Sequence, residues 1–479
     1  MRTQPLSIED ETYTYPKITH CEFKNNLVGV KYKDQDHTSG VGGDLYLYVD
    51  SCRFENNTIG LAIDNTGRIV KRIRWNQFVD NEYGIYIEGY ANSYVSFYND
   101  THFDICNNTI LSDQAEIGIA AIGAFYVNVE KNVIDIGNTG TGILIGKPYS
   151  YGLDHFRPSI LGSAPESYLY EEYDLPGTTE LIYRIHQNTV VGGFRGIQCH
   201  NPSGSKSSIR DNIVINQKKD PENAMSTGAG ILSFFLSNNL VGYNLVSGQE
   251  SYEEDINTGE NMTAFYYNEE MFYPLGQYFP STDIYNLPAN LTINYTPTYN
   301  SPVIDKGDPD FDRDGISWVS DANDRDPDAT RLDIGAFYYP QISVSGTISS
   351  DTTWYGKVTV TGDVTVASGV KLTIDPGTKV AFNSGKKLIV NGTLDAQGTS
   401  ANHIVFTSSS STPSAGDWYG IRFEDSSNDV NCILKYCDIH YAQYGVYCDR
   451  ANPRLISNTI SNNEQGISGY IASPTITDN

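Results

Sequence analysis

The sequence predicts an all-β chain wound into a parallel β-helix solenoid, and three observations lead to that fold class. A short phrase recurs along the chain, in which an apolar residue is followed three positions later by Asn and then by a Gly–hydrophobic pair. Its copies recur at intervals of roughly 20 to 30 residues, as expected for a solenoid. Helical periodicity is hard to find, and short runs of β-branched and aromatic residues end at Asn, Gly or Asp. A repeat of this length built of strands and turns is typical of a β-helix coil.

Two early copies show the phrase in full. Phe54-Glu55-Asn56-Asn57 is followed by Gly60-Leu61, and Phe78-Val79-Asp80-Asn81 is followed by Gly84-Ile85. Late in the chain the phrase returns as Ile460-Ser461-Asn462-Asn463 with Gly466-Ile467. Because the apolar residue recurs at the same offset, unrelated surface turns are the weaker explanation of these Asn residues.

The repeated Asn predicts an internal ladder of amides. Two strands of one coil meet at a sharp bend, where Asn enters the left-handed region more readily than most residues. Its side chain both donates and accepts, so stacked Asn residues can bond coil to coil. The predicted ladder consists of Asn26, Asn57, Asn81, Asn108, Asn132, Asn188, Asn212 and Asn239.

Charge and composition limit the partners. The chain has 479 residues, with 58 acidic against 32 basic residues and a formal net charge of −26. This disfavours nucleic acid and anionic membranes, and it favours cations and neutral partners. An anionic polysaccharide would need a bridging cation or a local basic cleft. We expect a polysaccharide or surface glycan as partner, no nucleic acid, no membrane insertion and a monomer.

The seven cysteines do not predict a disulfide framework, because they form no CxxC pair or metal spacing. Cys21, Cys52 and Cys437 each precede the apolar residue of the repeat by two positions, and we expect them to point inward as small hydrophobic residues. No signal sequence or membrane span is visible. Since Ser473–Asn479 repeats the pattern of Asn452–Asn458, the chain is expected to end in mid-coil as a piece of a longer polypeptide.

The pattern predicts two consecutive β-helical domains. The first covers residues 1–340, with tyrosine-rich insertions near 147–181 and 248–300 and an acidic closing segment at 301–337. The second covers residues 341–479 and is expected to be truncated. Long insertions in a solenoid are often functional, since they can wall a groove beside the coils.

These phrases resemble the right-handed parallel β-helix repeats of the pectate lyase-like superfamily, in its bacterial secreted and surface forms. Residues 301–337 are similar to the end of such proteins, and residues 372–406 to their first coils. The resemblance implies two right-handed β-helices. It implies no single activity, because the superfamily includes lyases, hydrolases, esterases, epimerases and non-catalytic adhesive proteins.

The acidic run that starts at Asp310 predicts a calcium site. Oxygen ligands at positions 1, 3 and 5, Gly315 at position 6 and a carboxylate at position 12 are the requirements of a calcium loop. The loop resembles the dockerin-type variant, and a solvated acidic linker is the alternative. The predicted ligands of a structural Ca²⁺ are Asp310, Asp312, Asp314, the carbonyl of Ile316, and Asp321.

Catalytic residues stay unassigned in the sequence. Elimination from a uronate needs a cation and a base, and candidates on predicted strands are Arg74, Arg195, His200 and Arg210, with His186 beside a repeat Asn. None is accompanied by the lyase phrases of the superfamily. The paired aspartates and Gly-His-Gly of polygalacturonase-like hydrolases are absent as well.

Tyrosines are the better indication of a ligand, because sugar rings stack on their faces. The alternative is that tyrosine, a good strand former, packs within the solenoid. A late cluster contains Tyr436, Tyr441, Tyr444 and Tyr447. The predicted carbohydrate contacts are Tyr83, Tyr86, Tyr90, Tyr149, Tyr151, Tyr266 and Tyr273.

The leading functional prediction is an extracellular or surface-attached β-helix protein that binds carbohydrate or acts as an adhesive stalk. The alternatives are a polysaccharide lyase or glycoside hydrolase, and a structural spacer that binds nothing.

Overall fold

The structure is a computed structural model. The residues it describes are 17–33, 45–65, 69–89, 102–122, 126–146, 158, 160, 181–200, 206–217, 229–234, 241–242, 244–247, 284–285, 287–292, 294–311 and 315–479. The insertion predicted near 147–181 lies outside this set apart from residues 158, 160 and 181, and the one near 248–300 lies outside it as far as residue 283. No helix in the described ranges is long and apolar enough to span a membrane.

The chain divides into two compact units. The first unit consists of Met1–Ala289, Asp305–Asp324 and Arg331–Phe337. The second unit consists of Asn290–Ile304, Arg325–Thr330 and Tyr338–Asn479.

The first unit contains three sheets, and each coil contributes one strand to each of them in turn. The first sheet is formed by Lys17–Thr19, Leu45–Asp50, Ile69–Arg74, His102–Cys106, Tyr126–Glu130, Leu181–His186, Lys206–Arg210 and Val241–Gly242. The second is formed by Glu22–Lys24, Arg53–Glu55, Gln77–Val79, Thr109–Leu111, Val133–Asp135, Thr189–Val191, Ile213–Ile215, Leu245–Ser247 and Ile284–Tyr285. The third is formed by Val28–Lys33, Ile59–Asn65, Tyr83–Gly89, Ile117–Ile122, Thr141–Gly146, Arg195–His200 and Ala229–Phe234.

The second unit contains a ten-stranded fourth sheet and a six-stranded fifth sheet. The fourth sheet is formed by Gln341–Ile348, Lys357–Val366, Lys379–Phe382, Lys387–Val390, Ile404–Ser408, Trp418–Phe423, Cys437–His440, Ala442–Asp449, Thr459–Ser461 and Gln465–Tyr470. The fifth is formed by Thr352–Trp354, Lys371–Ile374, Thr393–Gln397, Ile433–Lys435, Arg454–Ile456 and Thr475–Thr477.

Strands of successive coils pair in parallel in both units. Together with the absence of α-helices from the described ranges, this confirms the predicted fold class, a right-handed parallel β-helix. A parallel strand that returns to its own sheet after a crossover does so with right-handed connectivity.

Register places the aliphatic side chains of the first unit inside the solenoid. Val49, Ile73, Ile105, Val129 and Ile185 are aligned across five strands of the first sheet. All five are fully buried. Burying each such side chain contributes roughly 1.5–3 kcal/mol, so the stacked columns hold the coils together without any disulfide.

One corner of every early coil requires glycine. Gly29, Gly60, Gly84, Gly118 and Gly142 form a column at the start of the third-sheet strands. A Cβ added to Gly84 would lie 2.5 Å from the carbonyl oxygen of Gly118, and one added to Gly118 would lie 2.6 Å from that of Gly142. The repeated Gly of the sequence phrase therefore marks a close approach of backbone to backbone.

Two corners of the coil carry amide ladders, one of them the corner that also holds the glycine column, and the structure has two rows where the sequence predicted one. At the corner from the second to the third sheet, Asn26 Nδ2 donates to Asn57 Oδ1 at 3.1 Å, and Asn57 Nδ2 donates to Asn81 Oδ1 at 2.9 Å. At the corner from the first to the second sheet, the corresponding Nδ2–Oδ1 distances are 2.9–3.0 Å. This longer row consists of Asn76, Asn108, Asn132, Asn188, Asn212 and Asn244.

Asn76 and Asn244 were not predicted, and the predicted Asn239 lies outside the described residues. The left-handed conformation belongs to the residue before the ladder Asn at every rung from Asn26 to Asn212, such as Asn56 with φ 52°, Trp75 with φ 54° and Lys131 with φ 56°. The ladder Asn instead supplies the oxygen that satisfies the backbone N–H of the preceding coil, as Asn81 Oδ1 does for Asn57 N at 3.0 Å.

Cysteine takes the ladder position at the end of two rows. The backbone N–H of Cys52 donates to Asn76 Oδ1, and that of Cys437 donates to Asn458 Oδ1, both at 2.9 Å. Both side chains are buried, as the inward orientation predicts, but Cys21 is exposed. All seven thiols are free, and burial raises the pKa of Cys199 to about 12, so this thiol stays protonated.

Candidate functional site

Two of the predicted sugar-binding tyrosines are buried. Tyr83 is 4% exposed and Tyr86 is 1% exposed, in an apolar cluster separate from the core that also packs against Ile160. The hydroxyl of Tyr83 donates to the carboxylate of Glu116, whose pKa is raised by burial. A sugar ring cannot stack on either tyrosine here. The other predicted contacts, Tyr90, Tyr149, Tyr151, Tyr266 and Tyr273, lie outside the described residues.

The predicted calcium loop is described in part. Asp312 and Asp314 lie outside the described residues, and the rest of the loop is in an open turn in which Gly315 has φ 85° and Ile316 is exposed. Asp310 Oδ1 accepts the N–H of Gly315 at 3.4 Å. Asp321 Oδ1 accepts the N–H of Asn323 at 2.8 Å. The described residues alone contain no group of three or more metal-binding side chains, so calcium stays a prediction.

The outer side of the first sheet carries polar side chains in two columns, which we call the first-sheet face. Strand alternation places them opposite the buried aliphatic residues of the same strands. One column consists of Tyr48, Arg72, Asp104, Asn128, Arg184 and Ser208. The other consists of Asp50, Arg74, Cys106, Glu130, His186 and Arg210.

One end of the first-sheet face is partly open and charged. Arg74 Nη2 donates to Asp104 Oδ2 at 2.8 Å, and both side chains are about 30% exposed, at 31% and 29%. Asn128 Nδ2 lies 3.5 Å from Asp104 Oδ1 and 3.4 Å from Glu130 Oε2. This end brings a cation, an amide and two carboxylates together within reach of one ligand.

The other end is covered by the closing segment. Arg210 forms a buried ion pair with Asp308, and its Nη2 donates to the carbonyl oxygen of Phe311 at 3.0 Å. The His186 ring is 4% exposed, meets the Phe311 ring at 5.3 Å and lies 2.5 Å from Ser208 Oγ. Neither Arg210 nor His186 is accessible to a polymer in this conformation.

Of the five catalytic candidates, three share the second column of this face: Arg74, His186 and Arg210. Arg195 begins a strand of the third sheet and His200 ends it. The members of this face stand two and four positions before Cys52 and before each Asn of the longer row from Asn76 to Asn212. Without the division of the Asn residues into two rows, that count could not be made.

The second unit presents a group of aromatic rings on its fourth sheet, which we call the tyrosine face and define as Tyr419, Tyr444, Tyr447, Lys387 and Arg422. The rings of Tyr419 and Tyr444 are 5.4 Å apart, and those of Tyr444 and Tyr447 are 5.5 Å apart. All three are half-buried. Lys387 Nζ lies 5.1 Å from the Tyr419 ring and Arg422 Cζ lies 4.9 Å from the Tyr447 ring.

A register shift positions these rings. The pairing of Trp418–Phe423 with Ala442–Asp449 slips between Gly420 and Ile421. Gly420 has φ 130°, and an added Cβ would lie 1.7 Å from the carbonyl oxygen of Tyr444. Bulges of this kind re-aim neighbouring side chains, and here the irregularity directly follows the paired residues Gly420 and Tyr444.

The guanidinium of Arg422 is held in place by two carboxylates. Its Nε donates to Glu424 Oε1 at 2.5 Å, and its Nη2 donates to Asp449 Oδ2 at 3.0 Å. The bond to Glu424 is the main cause that raises the pKa of Arg422, so this side chain stays charged.

The sequence of this region matches a known family. Residues 346–446 match the model of the pectate-lyase like beta helix domain. This segment is therefore similar to a pectate-lyase-like β-helix domain. The match contains Tyr419 and Tyr444, and Tyr447 follows it by one residue. It confirms the resemblance noted in the sequence.

Comparison with solved structures finds two structures of the AlyGC alginate lyase of family PL6. The arginine-to-alanine mutant is 13% identical, with a TM-score of 0.30, over 92% of this chain and 59% of that one. The other structure is 13% identical, with a TM-score of 0.27, over 96% of this chain and 58% of that one. The chain thus spans less than two thirds of their length, and similarity at this level carries no argument about activity. No curated protein matches the chain.

Proposed function

We propose that this protein binds polysaccharide outside the cell and that the tyrosine face of the pectate-lyase-like domain contacts the sugar. The observation that carries the proposal is the group of three half-buried tyrosine rings, in which the ring of Tyr444 lies 5.4 Å from that of Tyr419 and 5.5 Å from that of Tyr447. Partial burial fixes the rings and leaves part of each accessible. Aromatic rings with a few fixed polar groups beside them are the usual composition of a sugar site.

The polar groups beside the rings support the same function. Arg422 is fixed between Glu424 and Asp449, so donors and acceptors are already oriented beside the rings before a ligand arrives. Preorganised groups of this kind lower the entropic cost of binding. An extended β-sheet surface with a period of about 4.8 Å per coil also suits a linear polymer.

Affinity electrophoresis in gels that contain soluble polysaccharides tests the proposal. Tyr444→Ala is expected to weaken binding about tenfold or more, because Tyr444 contacts both of the other rings. Tyr447→Phe keeps the ring and is expected to retain most of the affinity. Tyr355→Ala removes an exposed tyrosine, 54% accessible, outside the face and serves as the matched control. Equal retardation of Tyr444→Ala and the parent protein would refute the proposal.

A second candidate function, polysaccharide lyase or hydrolase, is favoured by the partly open end of the first-sheet face. Arg74, Asp104 and Glu130 are charged groups of the kind that general acid–base chemistry needs. Lyase activity would produce unsaturated ends that absorb in the ultraviolet, and hydrolysis would produce reducing ends. Both are measured with and without Ca²⁺. We expect Arg74→Ala to abolish turnover and Arg53→Ala, on the second sheet, to leave it unchanged. Absence of turnover on all polysaccharides tested would exclude this function.

A further inference from the structure

The tyrosine face has cations, but carboxylates already pair with both of them. Lys387 Nζ lies 3.7 Å from Asp363 Oδ2. Arg422 bonds to Glu424 and Asp449 at once, and Arg422 Nη2 is shared between the two carboxylates at 3.3 and 3.0 Å. Each cation that borders the rings therefore already has a carboxylate partner within the protein, and Arg422 has two.

Local charge therefore opposes an acidic sugar. Asp449 also accepts from Arg450 Nε at 3.3 Å. The cations at and beside the face are thus Lys387, Arg422 and Arg450, and they are outnumbered by four carboxylates, those of Asp363, Glu424, Asp425 and Asp449. The whole chain adds to this with a formal net charge of −26. A polyanion approaching the face would meet repulsion without a compensating ion pair.

Hydroxyl groups fit the same surroundings well. A carboxylate that already accepts from a guanidinium still has lone pairs for further donors. Glu424 and Asp449 lie near the ring of Tyr447, because both accept hydrogen bonds from Arg422, whose Cζ lies 4.9 Å from the centre of that ring. A neutral sugar that packs its C–H face on the tyrosines would direct its hydroxyls toward these acceptors.

We infer that the tyrosine face selects neutral polysaccharides and rejects uronate polymers such as alginate and polygalacturonate. This inference rests on the proposed function, since it names the class of glycan that the same face takes. It also assigns Glu424 and Asp449 a specificity role, because they occupy the guanidinium that an acidic sugar would need.

The first experiment compares neutral and acidic polymers on the full chain. Isothermal titration with oligosaccharides of a neutral glucan, a mannan and a galactan is set against oligomers of alginate and polygalacturonate. We expect at least one neutral series to bind about tenfold more tightly than either acidic series. Tyr444→Ala should weaken the neutral binding about tenfold or more, while Tyr355→Ala should not. Far-ultraviolet circular dichroism checks that both variants are folded.

The second experiment removes the two carboxylates that pair with Arg422. The double variant Glu424→Gln with Asp449→Asn leaves Arg422 without a carboxylate, and it should gain about tenfold in affinity for the acidic oligomers. The matched variant Asp429→Asn with Glu464→Gln removes the same charge elsewhere in the second unit and should gain less. Equal gains would mean that overall charge, and not the release of Arg422, sets the preference.

The outcomes distinguish failure of this inference about neutral glycans from failure of the proposed function. Tyrosine-dependent binding of acidic oligomers that equals or exceeds neutral binding would overturn this inference and leave the proposed function in place. If no oligosaccharide of either class binds, both are overturned. Neutral binding that depends on Tyr444, with acidic binding gained in the double variant, supports both.

Discussion

The two units turn the corners of their coils by different means. In the first unit, non-glycine residues adopt the left-handed conformation, and the Asn that follows bonds to the coil before and the coil after. Between residues 341 and 430 of the second unit, every residue with positive φ is a glycine, from Gly346 to Gly420. A ladder returns only late, where Asn458 Nδ2 donates to Asn479 Oδ1 at 2.7 Å.

The corners of the first unit depend on one another, whereas each glycine turn of the second unit is independent of the others. A ladder amide works only if the coils on both sides supply matching amides, so each rung depends on its neighbours. A glycine turn is complete within its own few residues. Mutations at the corners should therefore be felt over several coils in the first unit and at one turn in the second.

The largest effect should follow loss of a central rung. Asn132 accepts from Asn108 and donates to Asn188 and to the carbonyl oxygen of Ile105. Asn132→Ala leaves several buried partners unsatisfied and is expected to lower the free energy of unfolding by about 3–5 kcal/mol. Asn391→Ala, at a partly exposed turn of the second unit, should cost about 0.5 kcal/mol or less. Urea unfolding gives both values.

Hydrogen exchange locates the damage. For Asn132→Ala, amide protection should fall in several coils on each side of residue 132. A loss of protection confined to the mutated coil would argue that the rungs act independently and that the comparison between the units is wrong.

Glycine substitutions should separate crowding from backbone strain. Gly118→Ala places a Cβ 2.6 Å from the carbonyl oxygen of Gly142, and the coils must move apart, which we expect to cost about 3 kcal/mol. Gly385→Ala meets nothing within 4 Å, and only its φ of 68° is unfavourable, which should cost about 1–2 kcal/mol. Thermal unfolding midpoints of the two variants test the order, and equal shifts would contradict it.

A buried carboxyl at a corner of the first unit should make stability depend on pH. Burial raises the pKa of Asp211 well above its ordinary value of 3.8, although Arg210 opposes this shift, and Asp308 and Arg331 also face the group. Because the folded state holds this proton more tightly, its stabilisation is complete below pH 3.8 and is lost as pH rises through the folded pKa. Asp211→Asn keeps a residue that tolerates φ 58° and removes the titration.

The variant should therefore gain about 1 kcal/mol of stability at pH 8 relative to the parent protein and nothing at pH 3. Asp375 in the second unit, whose pKa is also raised by burial but which is less enclosed, provides the comparison through Asp375→Asn, with a smaller expected gain. Urea titrations at several pH values measure both. A gain at pH 8 no greater than that at pH 3 would contradict the assignment.

The smallest expected effect concerns the predicted calcium loop. If Asp310 and Asp321 bind Ca²⁺ with their predicted partners, millimolar Ca²⁺ should raise the unfolding midpoint by about 2–4 °C. Asp310→Asn should remove this increase, while Asp351→Asn, an exposed residue of the second unit, should not. A midpoint unaffected by Ca²⁺ in the parent protein would favour the solvated linker.

The fold was predictable because the same sequence phrase recurs from coil to coil. Phe54, Phe78 and the Asn that follows each of them are visible without structure, and so is the Gly of the same phrase. The two Asn rows were not distinguished, because both corners use the same order of an apolar residue, a spacer, a left-handed residue and Asn. Asn76 was missed, although Ile73 stands three positions before it as the apolar residue does in the predicted copies.

The candidate sites were less predictable, because exposure depends on what packs across a strand. Tyr83 and Tyr86 have the same sequence character as Tyr444 and Tyr447, yet an apolar cluster buries the first pair. Tyr419 escaped notice because it lies a full coil from its partner Tyr444, and only register brings the rings to 5.4 Å. Periodicity identifies which residues share a column but not whether another layer covers it.

The amides of the long row all point the same way, since each Nδ2 donates toward the following coil and each oxygen accepts from the preceding one. A row with such polarity can be lengthened only by adding complete coils. Copying a stretch of 24 residues, the separation of Asn108 and Asn132, would add a rung that both neighbours accept. Inserting a single residue within a strand would displace every later amide, so growth by tandem duplication is the change that this architecture tolerates best.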